Sequence, residues 1–222
     1  MNVFPFIVVE GLDGSGKTTL RKGLFRLFEH LYGVTPLAVL TTNWLAPEAA
    51  PDLVEGKYRP APENRDRYLA ALRADKQASV TRLIVPSLAA RPVIADRWLI
   101  SELAFFAVKH DQPPMETYAK LADAIDVTPS LTIVLETATE QSMARAAGRT
   151  GGEDVRKDWD VIDVQARVRE AIAEILSCPS AFPKIGPTAR IDASQERAAV
   201  LRDAWDALAG HNLTPALPME EV

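Results

Sequence analysis

The chain has 222 residues, 47% apolar and 25% charged. That is ordinary for a globular protein with a full hydrophobic core, and it excludes fibrous and disordered classes. A net charge of −5 excludes a global field that draws the protein to a polyanion, so nucleic acid is not an expected partner. The single cysteine, Cys178, excludes an intrachain disulfide, and the apolar run Phe6–Val9 is too short for a signal segment or membrane span. The expectation is a cytoplasmic protein with no membrane contact.

Short β-branched runs alternate with long helical stretches, the pattern of an α/β fold with a parallel sheet. Phe6–Glu10 predicts a first strand buried on both faces. A helix follows from Gly16 to Tyr32, with Leu20, Leu24, Leu27, Phe28 and Leu31 on one stripe and Gly33 as its stop. Leu37–Thr41 predicts a second strand. Residues 44–64 hold Pro47, Pro51, Pro60 and Pro62 and predict a long irregular connection. The next helix runs from about Glu63 to Val85, its inner face marked by Leu69, Leu72, Val80 and Leu83. Lys76 falls on that stripe, and Pro86 kinks or ends the helix. Val93–Ala95 is a third strand and Ile100–His110 a short helix, stopped by Pro113–Pro114. Leu131–Leu135 is a fourth strand, and Thr139 caps a helix through about Ala147. The glycine-rich stretch 148–153 is expected to be mobile. Helices over Val161–Leu176 and Gln195–Leu208 flank a last strand, Ala189–Ile191. The tail from Asn212 to Val222 is expected to be loose. No linker divides the chain.

The strongest chemical signal is GLDGSGKT, Gly11 to Thr18, placed between a predicted strand and a predicted helix. Gly11, Gly14 and Gly16 let the backbone curl so that its N–H groups, with that of Ser15, point at phosphate oxygens. The helix N-terminus adds partial positive charge. Lys17 reaches the β- and γ-phosphates, Thr18 offers its hydroxyl to Mg²⁺, and Thr19 belongs to the same cofactor-binding turn. The reading is a nucleoside triphosphate site, with ATP and Mg²⁺ as cofactors. No N-K-x-D motif, and no D-x-x-G after the second or third strand, supports a GTPase switch.

Asp13 lies inside the phosphate cradle, where a carboxylate is repelled unless it holds a hydroxyl, an acceptor or metal-bound water. Asp96 and Arg97 close the third strand, at the end of a parallel sheet where the cleft lies. There a carboxylate suits metal-bound water and an arginine forks onto phosphate.

The segments FIVVEGLDGSGKTTL, ADKQASVTRLIVPSLAARPVIADRWLISELAFF, PSLTIVLETATEQSMAR, DVQARVREAI and ARIDASQERAAVLRDAW resemble thymidylate kinases in order and spacing. The resemblance covers most of residues 6–208 and is most specific in the P-loop and around Asp96–Arg97–Trp98. It implies a P-loop nucleoside-monophosphate-kinase fold, a five-stranded parallel sheet flanked by helices, and a homodimer. It also implies transfer of the ATP γ-phosphoryl to dTMP. One kinase domain is expected over 1–211, with a short lid at about 146–158 and a loose tail over 212–222. By resemblance, Asp13 lies near acceptor and phosphates, Arg97 grips the acceptor's monophosphate and Asp96 sits near Mg²⁺. Phe105 packs near the deoxyribose, Ser101 lies near the base and Arg145 near the adenine. Ser15 leaves the P-loop without an arginine, so transition-state charge falls to cations around the glycine-rich stretch: Arg149, Arg156 and Lys157.

Three departures concern the acceptor. The family's R-E-P-G-G after the second strand is replaced by Thr42, Asn43, Trp44, Leu45 and Ala46, with Arg59, Arg65 or Arg67 as candidate substitutes for the lost arginine. Lys76 replaces an arginine that meets the thymine edge, and its place on the inner stripe predicts that it points into the cleft. Phe106 stands where a glutamine or threonine is usual and predicts a more apolar wall. The acceptor expected is dTMP or a 5-substituted dUMP, ahead of another deoxynucleotide or a nucleoside; a nucleotide-binding switch without kinase activity and a polynucleotide kinase are the rival readings. His30, His110 and His211 lie near helix ends and read as C-terminal caps.

Overall fold

A computed structural model describes residues 4–41, 44–150 and 161–214, the side chains of 148–150 excepted. Five strands, β1 (Phe6–Gly11), β2 (Leu37–Leu40), β3 (Val93–Asp96), β4 (Leu131–Glu136) and β5 (Thr188–Asp192), form one parallel sheet in the order β2-β3-β1-β4-β5. Every residue of β1 is buried, which is why its sequence is a continuous apolar run rather than an alternation. Its side chains feed two cores. Ile7 and Val9 pack with Leu20, Leu24 and Phe28 of α1 (Lys17–Tyr32) and with Trp205 and Leu208 near the C-terminus. Phe6 and Val8 face the opposite core, with Leu69, Leu72, Leu103 and Ile172. The chain leaves β1 for β2 on one side and later returns to β4 on the other, so a crevice opens at the carboxyl end of β1, beside β3.

Residues 44–64 are not an irregular connection. They contain α2 (Ala50–Tyr58), preceded by a 3₁₀ turn Pro47–Ala49 and followed by another, Pro62–Asn64. Pro47, Pro51 and Pro62 each occupy a first or second helical position, where a missing N–H costs nothing. The prolines mark where helices start. Downstream, α3 (Arg65–Ser79) continues through a π turn, Val80–Ile84, into the short α4 (Val85–Ser87). In α geometry the ring of Pro86 would meet the Arg82 carbonyl; the wider turn, with the Val85 N–H on the Val80 carbonyl, lets the helix run past it.

Helix α5 spans Leu99–Lys109, and the Pro113–Pro114 pair opens a helix that the sequence pattern did not announce, α6 (Pro114–Leu121). In α7 (Thr139–Thr150) Thr139 is the first helical residue rather than the cap, and the Ala138 carbonyl takes the Ser142 N–H. Helices α8 (Ile162–Ser177) and α9 (Arg197–Gly210) complete the layers. The stretch 151–160, with Arg156 and Lys157, and the tail 215–222 lie outside the described residues.

Candidate active site

The loop between β1 and α1 is shaped by left-handed backbone. Gly14 has φ 85°, and a Cβ there would lie 2.0 Å from the Ser142 carbonyl oxygen of α7. Only glycine fits both the turn and the space. The Ser142 hydroxyl donates to the Asp13 carbonyl, so α7 is seated directly on the loop. Lys17 is buried, and its Nζ donates to the carbonyls of Gly11 (3.0 Å) and Leu12 (2.6 Å). Burial first, and then the Arg97 charge, pull its pKa down to about 7, against the raising influence of Asp13, Asp96 and Glu10. Ser15 Oγ is buried without a partner. A cradle with a half-neutral lysine and an orphaned hydroxyl is built for an anion that supplies the missing charge and acceptors.

At the first turn of α1, Thr18 Oγ1 donates to Asp96 Oδ2 at 3.3 Å, and Arg21 Nε lies 3.6 Å from the same oxygen. A hydroxyl and a carboxylate converging beside a phosphate cradle fit Mg²⁺, which keeps one or two carboxylates and takes its remaining ligands from phosphate and water. Among the described residues no cluster of three or more His, Cys, Asp or Glu could hold a metal. Thr19 is exposed on the same turn. Arg145, on α7, donates to the Ala193 carbonyl at 2.8 Å and ties that helix to the turn after β5.

Arg97 follows β3 with φ 74°, a left-handed conformation that costs an L-residue of its size of order 1–3 kcal/mol. Three contacts hold it there. Its N–H binds the Val9 carbonyl at 2.9 Å, its Nη2 lies 2.5 Å from Asp13 Oδ1, and its Nη1 donates to Ser101 Oγ at 2.9 Å. Burial works against its charge, yet Asp13 and Glu10 hold its guanidinium above the ordinary value. The Ser101 hydroxyl in turn donates to Glu10. Glu10 is fully buried at the end of β1 and also accepts the N–H groups of Trp98 (2.7 Å) and Ser101 (3.2 Å), capping α5 from another strand. Sequence reasoning passed over Glu10. The available signal was a carboxylate ending an otherwise apolar buried strand.

Beyond Asp13 and Arg97 lies a cavity of ≈ 350 Å³. Ser101 and Phe105 line it from α5, Tyr68 and Leu72 from α3, Leu53 from α2, and Trp44 from the segment after β2. Gly56 sets the approach of α2: a Cβ there would lie 2.1 Å from Tyr68 Cγ. The close contact brings Lys57 and Tyr58 to the cavity wall, opposite Lys109 of α5. Asp75, also missed in the sequence, is buried on α3 and accepts the N–H groups of Leu45 (2.6 Å) and Ala46 (3.2 Å), pinning the segment that carries Trp44.

Several acceptor-side expectations are corrected here. Arg59, Arg65 and Arg67 do not line the cavity. Arg65 pairs with Asp66, and Arg67 with Asp52 and Glu55, on the outer surface; the wall cations are Lys57 and Lys109. Lys76 points inward, but not into the main cavity. Its Nζ lies 2.9 Å from Glu102 Oε1 and 4.3 Å from the centre of the Trp98 ring, beside a smaller adjoining cavity. Phe106 is not cavity wall: it is fully buried behind Tyr68, ring centroids 5.3 Å apart and nearly parallel. His110, at the C-cap of α5, packs among Tyr68, Phe105 and Phe106 with both ring nitrogens unpartnered, and burial lowers its pKa. The Arg149 side chain and Arg156 lie outside the described residues.

Two places thus face each other across Asp13 and Arg97: a backbone cradle suited to polyphosphate, and an apolar-walled cavity of a size for one small ligand. That construction is a P-loop nucleoside monophosphate kinase. The thymidylate kinase family model matches residues 9–183, and the chain belongs to that family. It is similar to the probable thymidylate kinase of Thermococcus gammatolerans, 30% identical over 188 residues, 81% of this chain and 85% of that one. It is likewise similar to the thymidylate kinase of Clostridium novyi, 27% identical over 198 residues (86% and 95%), and to that of Bacillus cytotoxicus, 30% identical over 173 residues (77% and 83%).

Proposed function

We propose that this enzyme transfers the γ-phosphoryl group of ATP to a deoxynucleoside monophosphate, dTMP or a 5-substituted dUMP, giving ADP and the diphosphate. The observation that carries the reading is the Asp13–Arg97 pair, standing between the phosphate cradle and the acceptor cavity. An acceptor phosphate drawn to the Arg97 fork takes over the charge that Asp13 now neutralises, and it arrives next to the cradle. An oxygen of that phosphate attacks the γ-phosphorus, the bond to the β-bridging oxygen breaks, and ADP leaves. Lys17 regains its full charge against the β- and γ-phosphates, Ser15 Oγ finds an acceptor, and Arg145 flanks the adenine. Thr18 and Asp96 would hold Mg²⁺, which supplies charge neutralisation at the phosphates. Ser101 and Phe105 shape the acceptor's place, and Arg149 and Arg156 supply lid charge. Catalysis of this kind is positioning plus electrostatics.

The enzyme acts as a homodimer of one kinase domain, residues 1–211, with a lid at about 146–158, in the cytoplasm. No described helix is long and apolar enough to cross a membrane. The test is ADP production from ATP and Mg²⁺ against dTMP, dUMP, 5-hydroxymethyl-dUMP, dCMP, dGMP and thymidine. The expected result is the highest kcat/KM with dTMP or the 5-substituted dUMP. ATP binding with no turnover on any of them would overturn the reading.

A further inference from the structure

The main cavity has one apolar stretch of wall, Trp44, Leu53, Tyr68, Leu72 and Phe105, with the cations Lys57 and Lys109 also on its lining. Near the P-loop, Asp13, Arg97 and Ser101 are bound to one another and belong to the phosphate end. On α5, one residue past Ser101, Glu102 also lines the cavity. Its carboxylate is held from behind. The Lys76 ammonium sits between Glu102 Oε1 and the face of Trp98, and its side chain is 5% exposed against 12% for Glu102. Lys76 lines the small adjoining cavity and not the large one, whereas Glu102 lines both. Of this buried ion pair, the member that lines the main cavity is the carboxylate.

A carboxylate accepts hydrogen bonds and donates none, and it has up to four lone-pair positions, of which Lys76 satisfies a part. Beside an apolar stretch of wall such a group rewards a ligand edge that carries N–H and repels one that presents only carbonyl oxygen. We infer that Glu102 is the specificity-determining residue for the acceptor's base, accepting a hydrogen bond from an N–H on the pairing edge of a pyrimidine. Lys76 is its positioning residue, fixing the carboxylate without touching the ligand. This rests on the phosphotransfer reading above. The N–H comes either from the ring imide of thymine or uracil or from the exocyclic amine of cytosine, and the two sources separate by experiment.

The test is steady-state kinetics on dTMP, N3-methyl-dTMP and dCMP, with the wild-type enzyme, Glu102→Met, and the double variant Lys76→Met with Glu102→Leu. The double variant removes both ions, so no buried charge is left unpaired; Glu102→Met keeps the side-chain length, removes both acceptor oxygens and decides the matter by the same ratio if the double variant does not fold. For an imide donor, wild-type KM is expected to be at least ~10-fold higher for N3-methyl-dTMP than for dTMP, the scale of a lost charge-assisted bond. In the double variant that ratio falls to within about twofold, because dTMP loses its partner and the methylated analogue has none to lose. The change falls on acceptor KM rather than on KM for ATP, a split that a general loosening of the fold would not give. If the donor is an amine, dCMP is the acceptor whose KM rises about tenfold in the variants. An unchanged preference in both variants overturns the assignment of Glu102. A wild-type enzyme that binds ATP and phosphorylates none of the panel overturns the phosphotransfer reading instead, and this inference falls with it.

Discussion

The two halves of the site satisfy their polar groups in opposite ways. On the cradle side, Lys17 rests on two backbone carbonyls, Ser15 Oγ has no partner, and Arg21 Nε has an ion-pair neighbour but no hydrogen bond. On the acceptor side two charges are matched by carboxylates: Arg97 with Asp13, and Lys76 with Glu102. The cradle is made by backbone and is left incomplete for a ligand to finish. The acceptor side is made by side chains, and its phosphate end is paired until a ligand breaks the Asp13–Arg97 contact. Binding on one side gains contacts outright, while binding on the other exchanges them, so specificity is concentrated where the exchange takes place.

The sharpest way to break this contrast is Lys17→Ala, expected to lower turnover by at least ~10²-fold, the scale of one lost transition-state charge partner. Single-turnover kinetics that stay near wild type would remove the cradle from the mechanism. Arg97→Ala is expected to lower acceptor kcat/KM by about 10²-fold while the dissociation constant for ATP stays within about twofold. An equal loss in ATP affinity would show that the halves are not separable. Gly56→Ala forces a methyl group into the Tyr68 ring and should destabilise the fold by about 1–3 kcal/mol, read from denaturant unfolding, with a higher acceptor KM. The smallest effect is a proton. Lys17, lowered to about 7, is largely neutral in the free enzyme above that pH, and bound phosphates raise it again. Calorimetry at pH 7.5 in buffers of different ionisation enthalpy should show partial proton uptake on ATP binding, absent in Lys17→Met, with affinity falling as pH rises above 7. The linked stability has the same origin. Between pH 7 and 10.5 the unfolded chain binds a proton at Lys17 that the native chain lacks, so this group's contribution favours folding increasingly as pH rises through that window.

The same contrast explains what could be read in the sequence. The cradle is local: eight consecutive residues between a strand and a helix fix its geometry, and the pattern announced it in full. Asp96 and Arg97 were legible because strand ends in a parallel sheet converge on one crevice. The acceptor cavity is built from the segment after β2 and from α2, α3 and α5, whose meeting depends on tertiary packing. Its prolines looked like loop residues because their tolerance at helix starts was not weighed, and α2 went unseen. Lys76 was expected to point into the cleft and instead meets Glu102, 26 residues later, a partner that a single position on a stripe does not reveal. Glu10 was hidden for the opposite reason. It sits at the end of a recognised strand, and its three donors come from residues some 90 positions away.

Those three donors have a mechanical consequence. Through Glu10 the central strand is riveted to the start of α5, so P-loop, Arg97 and Ser101 travel as one stiff frame. On the acceptor side, a squeeze on a captured nucleotide is expected from the opposing jaw, α2 and α3 with Trp44. The give in that jaw is expected at its two irregular ends, the stretch 59–64 and the widened turn Val80–Ile84 that bypasses Pro86. A proline that looked like a break in the sequence thus sits beside the turn where that compliance is expected.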